Sequence, residues 1–80
     1  MAHQIKIYTT PACVHCRAAK RYFAAKGLSC EEVDVEADAK ARIEMFGIAH
    51  TRSVPVIVVD GQVFVGFEEN RPRIEQLIAQ

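Results

Sequence analysis

Two cysteines separated by two residues form the most reactive pattern in this chain. Cys13 and Cys16 flank Val14 and His15 within the stretch YTTPACVHC. Such a pair can close a structural disulfide, supply half of a metal site, or exchange electrons as a reversible disulfide. A disulfide across so small a ring stabilises a fold by about 2 kcal/mol at best, because the entropy removed from the unfolded chain depends on loop length. A purely structural role is therefore a weak explanation for the pair.

Metal binding fits the remaining candidate ligands poorly. Structural zinc sites usually take four ligands from two paired clusters. The chain adds only Cys30, which is predicted to lie at the far end of a helix, and His50 as an isolated candidate. The sequence therefore favours redox chemistry and predicts no metal site.

The overall charge limits the kinds of partner. Ten basic and ten acidic side chains cancel within the 80 residues. Without a basic excess there is no electrostatic attraction to nucleic acid or to an anionic membrane. The stretch MAHQIKIYTT lacks a signal-peptide pattern, and no segment approaches the roughly 18 apolar residues that span a bilayer. We therefore expect one small cytoplasmic domain over residues 1–80, where paired cysteines are more often catalytic or metal-binding than structural.

Hydrophobic periodicity predicts four strands and three helices in the order β-α-β-α-β-β-α. The predicted strands are IKIYT, CEEVDV, VPVIVV and QVFVG, and the predicted helices are residues 14–26, EADAKARIEMFG and NRPRIEQLIAQ. Asp60-Gly61 is a hairpin signal between the last two strands. Strands that alternate with helices predict parallel crossover connections, to which the hairpin adds an antiparallel edge. The expected fold class is α/β, a four-stranded mixed sheet flanked by three helices on its two faces.

Each predicted helix carries apolar residues at three- to four-residue spacing, which indicates an inward face. These residues are Ala18, Ala19, Tyr22 and Phe23 in the first helix, Ala39, Ile43 and Phe46 in the second, and Ile74, Leu77 and Ile78 in the third. Gly27 and Gly47 are predicted to end the first two helices. Pro72 is tolerable because it falls in the first turn of the third.

The position of Cys13 suits a nucleophile. It is predicted to lie at the first turn of its helix, where unpaired N–H groups and the helix dipole stabilise a thiolate. Arg17 and Lys20, one and two turns further on, add positive potential. Cys16 lies on the same face about one turn deeper, so we expect it to be the more buried, resolving thiol.

The chain resembles the glutaredoxin family along almost its whole length, through YTTPACVHC, TRSVPVIVVDG and VGFEEN in that order. The resemblance implies a thioredoxin fold and a dithiol–disulfide oxidoreductase that needs no cofactor beyond its own disulfide. Cys13 would attack a substrate disulfide, and Cys16 or glutathione would resolve the mixed disulfide. A non-catalytic module of this fold commonly loses one or both cysteines, and iron–sulfur carriers of the family typically show C-G-F-S. This chain keeps both cysteines, and its motif is C-V-H-C.

Two branches of this family differ in their electron donor. Glutaredoxins use glutathione, whereas NrdH-type redoxins take electrons from thioredoxin reductase and supply ribonucleotide reductase. RSVP and the acidic pair Glu68-Glu69 are similar to the first branch, while ACV-C and Gly66-Phe67, followed by RP, are similar to the second. The resemblance thus implies a monomer that reduces disulfide-containing proteins, with glutathione as the expected co-substrate and thioredoxin reductase as the alternative donor.

The resemblance also implies a binding groove beside the cysteines. A cis peptide bond is expected before Pro55, which would leave the backbone N–H and C=O of Val54 free to pair with glutathione or an extended substrate. A trans proline that simply begins a strand is the alternative. Arg52 is expected to hold a carboxylate, and Ser53 matches the usual threonine.

The acidic end of the groove departs from the family pattern. Glu69 is expected to take the γ-glutamyl amine, beside Gly66 and Glu68. The usual Gly-Gly is Gly66-Phe67 here, so a phenylalanine ring can obstruct or reshape that pocket. Plain surface charge is the alternative role for Arg52 and Glu69.

Two further side chains have open roles. His15 occupies the slot that also holds histidine in strongly oxidising C-P-H-C and C-G-H-C relatives, where it stabilises the thiolate. A histidine that merely faces solvent is the alternative. Cys30 is expected to pack against the core, since free cysteine is among the most buried residue types.

Overall fold

The computed structural model describes residues 3–79. The elements are β1 (Ile5–Thr9), α1 (Val14–Ala25), β2 (Glu31–Asp34), α2 (Ala39–Ala49), β3 (Val56–Val59), β4 (Gln62–Val65) and α3 (Arg71–Ile78), with a 3-10 turn at Glu68–Asn70. This order confirms the predicted sequence of strands and helices. No helix within the described range has the length and apolar character needed to cross a membrane.

The sheet has the strand order β2-β1-β3-β4, which makes β1 central. β1 pairs in parallel with β2 and antiparallel with β3. The predicted mixed sheet is confirmed, but the prediction of a parallel connection across α2 is wrong. Thr9 lies opposite Asp34 and Tyr8 lies opposite Val56, so residues 35–55 leave and re-enter the sheet at the same end. β3 is therefore antiparallel to β1.

The Asp60-Gly61 turn joins β3 to β4 as predicted. Its two residues have φ values of 49° and 87°. A two-residue type I′ turn requires positive φ at both positions, which Asp and Gly tolerate well. The returning strand brings Gly66 beside the start of β3, where its N–H donates to the Pro55 carbonyl at 2.9 Å.

Apolar side chains fill both faces of the sheet. The face under α1 and α3 buries Ile5, Ile7, Ala19, Phe23, Ile57, Val59, Phe64, Phe67 and Ile74. The face under α2 buries Tyr8, Val35, Ala41, Met45 and Val56. The predicted layers are confirmed, as are the inward faces predicted for α1 and α3.

The face predicted for α2 is wrong. Ile43 is 73% exposed and Phe46 is 49% exposed, whereas Ala41 and Met45 are buried against the sheet. Ala39 is exposed as well. The helix thus turns its largest apolar side chains away from the core.

Polar contacts join β1 to α2 in this orientation. The Glu44 carboxylate accepts a hydrogen bond from Lys6 Nζ at 2.9 Å and another from the Tyr8 hydroxyl. In this orientation Ala41 and Met45 face the sheet. Ile43 lies two positions from each of them and faces away, because side chains two positions apart on a helix point in very different directions.

The ends of α2 follow from its caps. Asp38 Oδ1 accepts the N–H groups of Lys40 and Ala41 at 3.0 Å and 3.2 Å. The helix continues through Gly47, and the predicted end there is wrong, because glycine permits a left-handed residue without requiring one. Termination comes at His50, which has φ 55°.

Candidate active site

Cys13 caps the N-terminus of α1. Its backbone is extended (φ −83°, ψ 113°), and its Sγ accepts a hydrogen bond from the Cys16 N–H at 3.2 Å. An N-cap acceptor satisfies one of the unpaired N–H groups at a helix start, and an anionic acceptor gains more there than a neutral one. The Cys13 N–H donates to the Thr10 carbonyl at 3.3 Å, which fixes the loop. The half-buried sulfur therefore lies at the helix start with one N–H group directed at it.

Cys16 occupies a very different environment one turn deeper. Its side chain is 1% exposed, which confirms the prediction that it is the more buried of the two. Burial, reinforced by the neighbouring Cys13 sulfur, raises the pKa of the Cys16 thiol to about 11. At neutral pH this thiol is therefore protonated, so the pair combines an accessible sulfur with a buried one.

We expect the reduced protein to lose stability as the pH rises above about 9, because the pKa of the Cys16 thiol is higher in the folded chain than the roughly 8.5 of an unfolded one. The folded state then binds more protons, and its free energy of unfolding falls by about 3 kcal/mol as the pH approaches the folded pKa of about 11. Thermal unfolding at increasing pH measures this loss. The Cys16→Ala variant should lose less stability over the same pH range. If the stability of the two proteins fell equally with pH, a buried protonated thiol at Cys16 would be contradicted.

His15 lies on the exposed side of α1. Its Nδ1 is 3.8 Å from Glu68 Oε1, and both side chains are more than half exposed. An exposed pair of this kind is a weak ion pair when the imidazole is protonated. The structure thus brings Glu68, one residue of the predicted acidic pair, beside the active-site turn.

The loop before β3 presents backbone groups rather than buried side chains. The Val54–Pro55 peptide bond is cis, as predicted. Within residues 3–79, neither the N–H nor the C=O of Val54 forms a hydrogen bond. Arg52 and Ser53 are exposed. The guanidinium of Arg52 lies 5.9 Å from the centre of the Phe46 ring, in cation–π geometry.

The turn after β4 places Glu69 over Gly66. Gly66 has φ 88°, so its backbone conformation favours glycine, and a Cβ added to it would lie 2.5 Å from the Glu69 carboxyl group and displace the end of that side chain. Phe67 is 3% exposed, and its ring lies 5.4 Å from that of Tyr22. The ring therefore belongs to the core.

Two residues of this region were missed by the sequence analysis. Asn70 Nδ2 donates to the Val65 carbonyl at 2.6 Å and to the Gly66 carbonyl at 3.0 Å, which ties the turn to the start of α3. Asparagine before a helix suggests a cap, but this side chain reaches back to the strand instead. Thr9 is buried below the cysteine loop and donates to the Thr10 carbonyl at 3.2 Å. The alternation of apolar and polar residues in β1 gave no indication that Thr9 would be buried there.

The remaining cysteine and histidine lie apart from the pair. Cys30 is half-buried against the core under α1, next to the opposite end of β1 from Cys13. Burial raises the pKa of its thiol. His50 is exposed at the end of α2. Within the described residues, no three His, Cys, Asp or Glu side chains cluster as metal ligands.

A C-x-x-C pair at the N-terminus of α1, next to a mixed sheet of order β2-β1-β3-β4, defines a thioredoxin-fold redox protein. The family model described as Glutaredoxin matches residues 5–64. The chain therefore belongs to the glutaredoxin family, whose general activity is thiol–disulfide exchange.

Curated relatives agree with this assignment. A glutaredoxin-like 8.6 kDa protein in the rubredoxin operon of Clostridium pasteurianum is 42% identical over 74 residues, which cover 92% of this chain and 96% of the relative. Glutaredoxin 3 of Escherichia coli K12 is 32% identical over 65 residues, which cover 81% of this chain and 78% of that protein.

Solved structures share the fold over nearly the whole chain. A mutant of the thioredoxin-like protein BC3987 superposes with a TM-score of 0.85 at 32% identity, covering 95% of both chains. The NrdH-redoxin of Escherichia coli, a glutaredoxin-like protein with a thioredoxin-like activity profile, superposes with a TM-score of 0.73 at 28% identity, covering 89% of this chain and 92% of its own.

Proposed function

We propose that this protein is a dithiol–disulfide oxidoreductase in which Cys13 attacks and Cys16 resolves. The observation that carries the proposal is the asymmetry of the pair. The Cys13 sulfur is half-buried and accepts a helix N–H, while the Cys16 thiol is buried and protonated. A nucleophile must be reachable and stabilised as an anion, whereas a resolving thiol only has to reach its neighbour.

The exchange proceeds in two steps. The Cys13 thiolate attacks one sulfur of a substrate disulfide, so a new S–S bond joins them and the other substrate sulfur leaves as a thiolate. Cys16 then loses its proton to the departing thiolate or to solvent and attacks the Cys13 sulfur. The Cys13–Cys16 disulfide closes, the second substrate thiol is released, and two electrons have passed to the substrate. No cofactor beyond this disulfide is required.

Glutathione is the electron donor we propose. One glutathione thiolate opens the Cys13–Cys16 disulfide, and a second removes the first as oxidised glutathione. Three features support a tripeptide groove beside Cys13: the free backbone of Val54, the exposed Arg52, and the Glu69 carboxylate over Gly66. The burial of the Phe67 ring in the core also supports this groove.

Thioredoxin reductase is the alternative donor, favoured by the structural similarity to NrdH-redoxin. With that donor, ribonucleotide reductase is the first protein substrate to test. On either path we propose a cytoplasmic monomer that reduces disulfides of other proteins.

Consumption of NADPH in two coupled assays separates the donors. The disulfide form is supplied with glutathione and glutathione reductase in one assay, and with thioredoxin reductase in the other. We expect turnover with glutathione, reduced about tenfold in Arg52→Gln because a charge-assisted contact to a carboxylate is lost. Arg73→Gln, an exposed change on α3, serves as the matched control. Turnover with thioredoxin reductase alone would assign the alternative donor.

A further inference from the structure

The outward face of α2 forms a groove that the redox chemistry leaves unexplained. Ile43 and Phe46 line it together with the side chains of Arg42 and Arg52, and it encloses about 410 Å³. Isolated exposed apolar residues are common on protein surfaces. Here two of them share one groove, and the Arg52 guanidinium lies over the Phe46 ring.

The groove combines apolar side chains with positive charge. Its lining contains two guanidinium groups and no carboxylate. Within residues 3–79, neither Arg42 nor Arg52 forms an ion pair. Arg42 donates one hydrogen bond, to the Val35 carbonyl at 3.2 Å, which holds the guanidinium in place while leaving its charge uncompensated. Of the acidic residues nearest Arg42 along the chain, Glu44 is engaged with β1 and Asp38 caps the start of α2.

The groove shares one residue with the loop that carries the proposed substrate-binding backbone. Arg52 belongs both to the groove and to the loop that carries Val54 and the cis bond before Pro55. A chain that pairs with the free backbone of Val54 therefore passes Arg52 and can continue toward Phe46. The groove extends the same binding surface away from the cysteines.

We propose that this groove docks an extended segment of a disulfide-containing protein partner, in which an apolar side chain is flanked by carboxylates. The apolar side chain packs on Ile43 and Phe46, and the carboxylates pair with Arg42 and Arg52. This inference rests on the proposed function, because the docked segment belongs to the partner whose disulfide Cys13 attacks. Complementary charge of this kind selects among partners and raises the rate of encounter.

A second copy of this chain fits the groove poorly. A symmetric pair of grooves would bring the Arg42 and Arg52 guanidiniums of both copies together without any carboxylate between them. Like charges placed in contact disfavour association. The charge of the groove therefore favours an acidic segment over self-association.

Single-turnover reduction of two synthetic peptides tests the proposal. Each peptide has one cysteine blocked as a 2-thiopyridyl disulfide and joined through glycine spacers of several lengths to Glu-Leu-Glu or to Lys-Leu-Lys. Attack by the Cys13 thiolate forms a disulfide with the peptide and releases 2-thiopyridone, which is followed by its absorbance. At low salt we expect the acidic peptide to react about fivefold faster at the best spacer length, and added salt should reduce this preference.

Variants of α2 locate the effect. Arg42→Gln should reduce the preference for the acidic peptide, and Arg42→Lys should restore much of it. Ile43→Ser should slow the acidic peptide about threefold, because apolar burial in the groove is lost. Ile48→Ser is the matched control, since Ile48 is also exposed on α2 but does not line the groove. The blocked cysteine without extension should react equally in all of these proteins.

The outcomes separate this inference from the proposed function. Equal rates for the two peptides in the parent protein, or equal effects of Ile43→Ser and Ile48→Ser, would overturn the docking groove. So would self-association in sedimentation that Ile43→Ser abolishes, because it would assign the groove to a second copy. Failure of the unextended probe to react with Cys13 would overturn the proposed function, and the inference with it.

Discussion

Replacing Cys13 with serine should reduce the turnover of disulfide substrates by at least about a thousandfold, because a serine hydroxyl can neither ionise at neutral pH nor form the mixed disulfide. The fold should be unaffected, since the Cys13 side chain is only half-buried and a serine oxygen can also accept the Cys16 N–H at the helix start. Reduction of a protein disulfide, coupled to NADPH consumption, measures the loss. Activity close to the parent value would contradict the assignment of Cys13 as nucleophile.

Cys30→Ser is the matched control for that experiment, because Cys30 lies at the other end of the sheet and should have no part in turnover. The Cys16→Ser variant gives a second, qualitatively different result. It keeps the nucleophile but lacks the resolving thiol, so in the absence of glutathione a mixed disulfide between Cys13 and the substrate should accumulate and be visible by mass spectrometry. Absence of this adduct under the same conditions would count against the proposed order of attack.

Truncating Phe67 should unfold a large fraction of the protein rather than open a binding pocket. Its ring is 3% exposed and packs against Tyr22 within the core under α1 and α3. Phe67→Ala removes most of that volume, which typically costs about 3–5 kcal/mol for a buried phenylalanine. In a domain of this size, such a loss lowers the midpoint of thermal unfolding by at least about 10 °C. Calorimetry or circular dichroism on heating measures it directly.

Phe67→Leu separates packing from any effect on the donor. Leucine keeps much of the buried volume, so its stability should lie well above that of Phe67→Ala. If the ring obstructed glutathione, both substitutions would speed turnover with glutathione and slow it with thioredoxin reductase. We expect instead that the ratio of the two activities stays near its parent value in Phe67→Leu. A parent-like unfolding temperature for Phe67→Ala would contradict the core position of the ring.

Much of the fold follows from local patterns in the sequence. The β-branched run VPVIVV, the Asp60-Gly61 pair and the apolar spacing of α1 and α3 each specify one structure strongly, and all of these agree with the observed elements. The C-x-x-C spacing likewise predicts that the second sulfur is the deeper one. The buried Cys16 confirms this.

The errors concentrate where tertiary contacts choose between local alternatives. α2 has apolar residues on two sides, and its own sequence does not say which side is buried. The observed side is the one that packs Ala41 and Met45 against the sheet, and in that orientation Glu44 contacts Lys6 and Tyr8 of β1. A prediction that ranks faces by hydrophobicity alone selects the wrong one, since alanine contributes little to such a ranking.

The position of Phe67 was unpredictable for a related reason. A glycine at position 66 with φ 88° reverses the backbone, and this reversal decides whether the next side chain points outward or into the core. Sequence shows that Gly66 can adopt this conformation, but not which way the following residue then faces. The hydrogen bonds of Asn70 to the carbonyls of Val65 and Gly66 hold the turn in the inward arrangement.

The burial of Cys16 has a consequence for kinetics under the proposed mechanism. Because only the Cys13 sulfur is accessible, the electron donor and the oxidised substrate must each react at the same atom, one after the other. They cannot occupy the protein together, so turnover should follow ping-pong kinetics, with parallel lines in double-reciprocal plots at different donor concentrations. A large excess of the electron donor would slow the reaction with the oxidised substrate only by occupying the Cys13 sulfur. An excess of the substrate would slow the reaction with the donor in the same way.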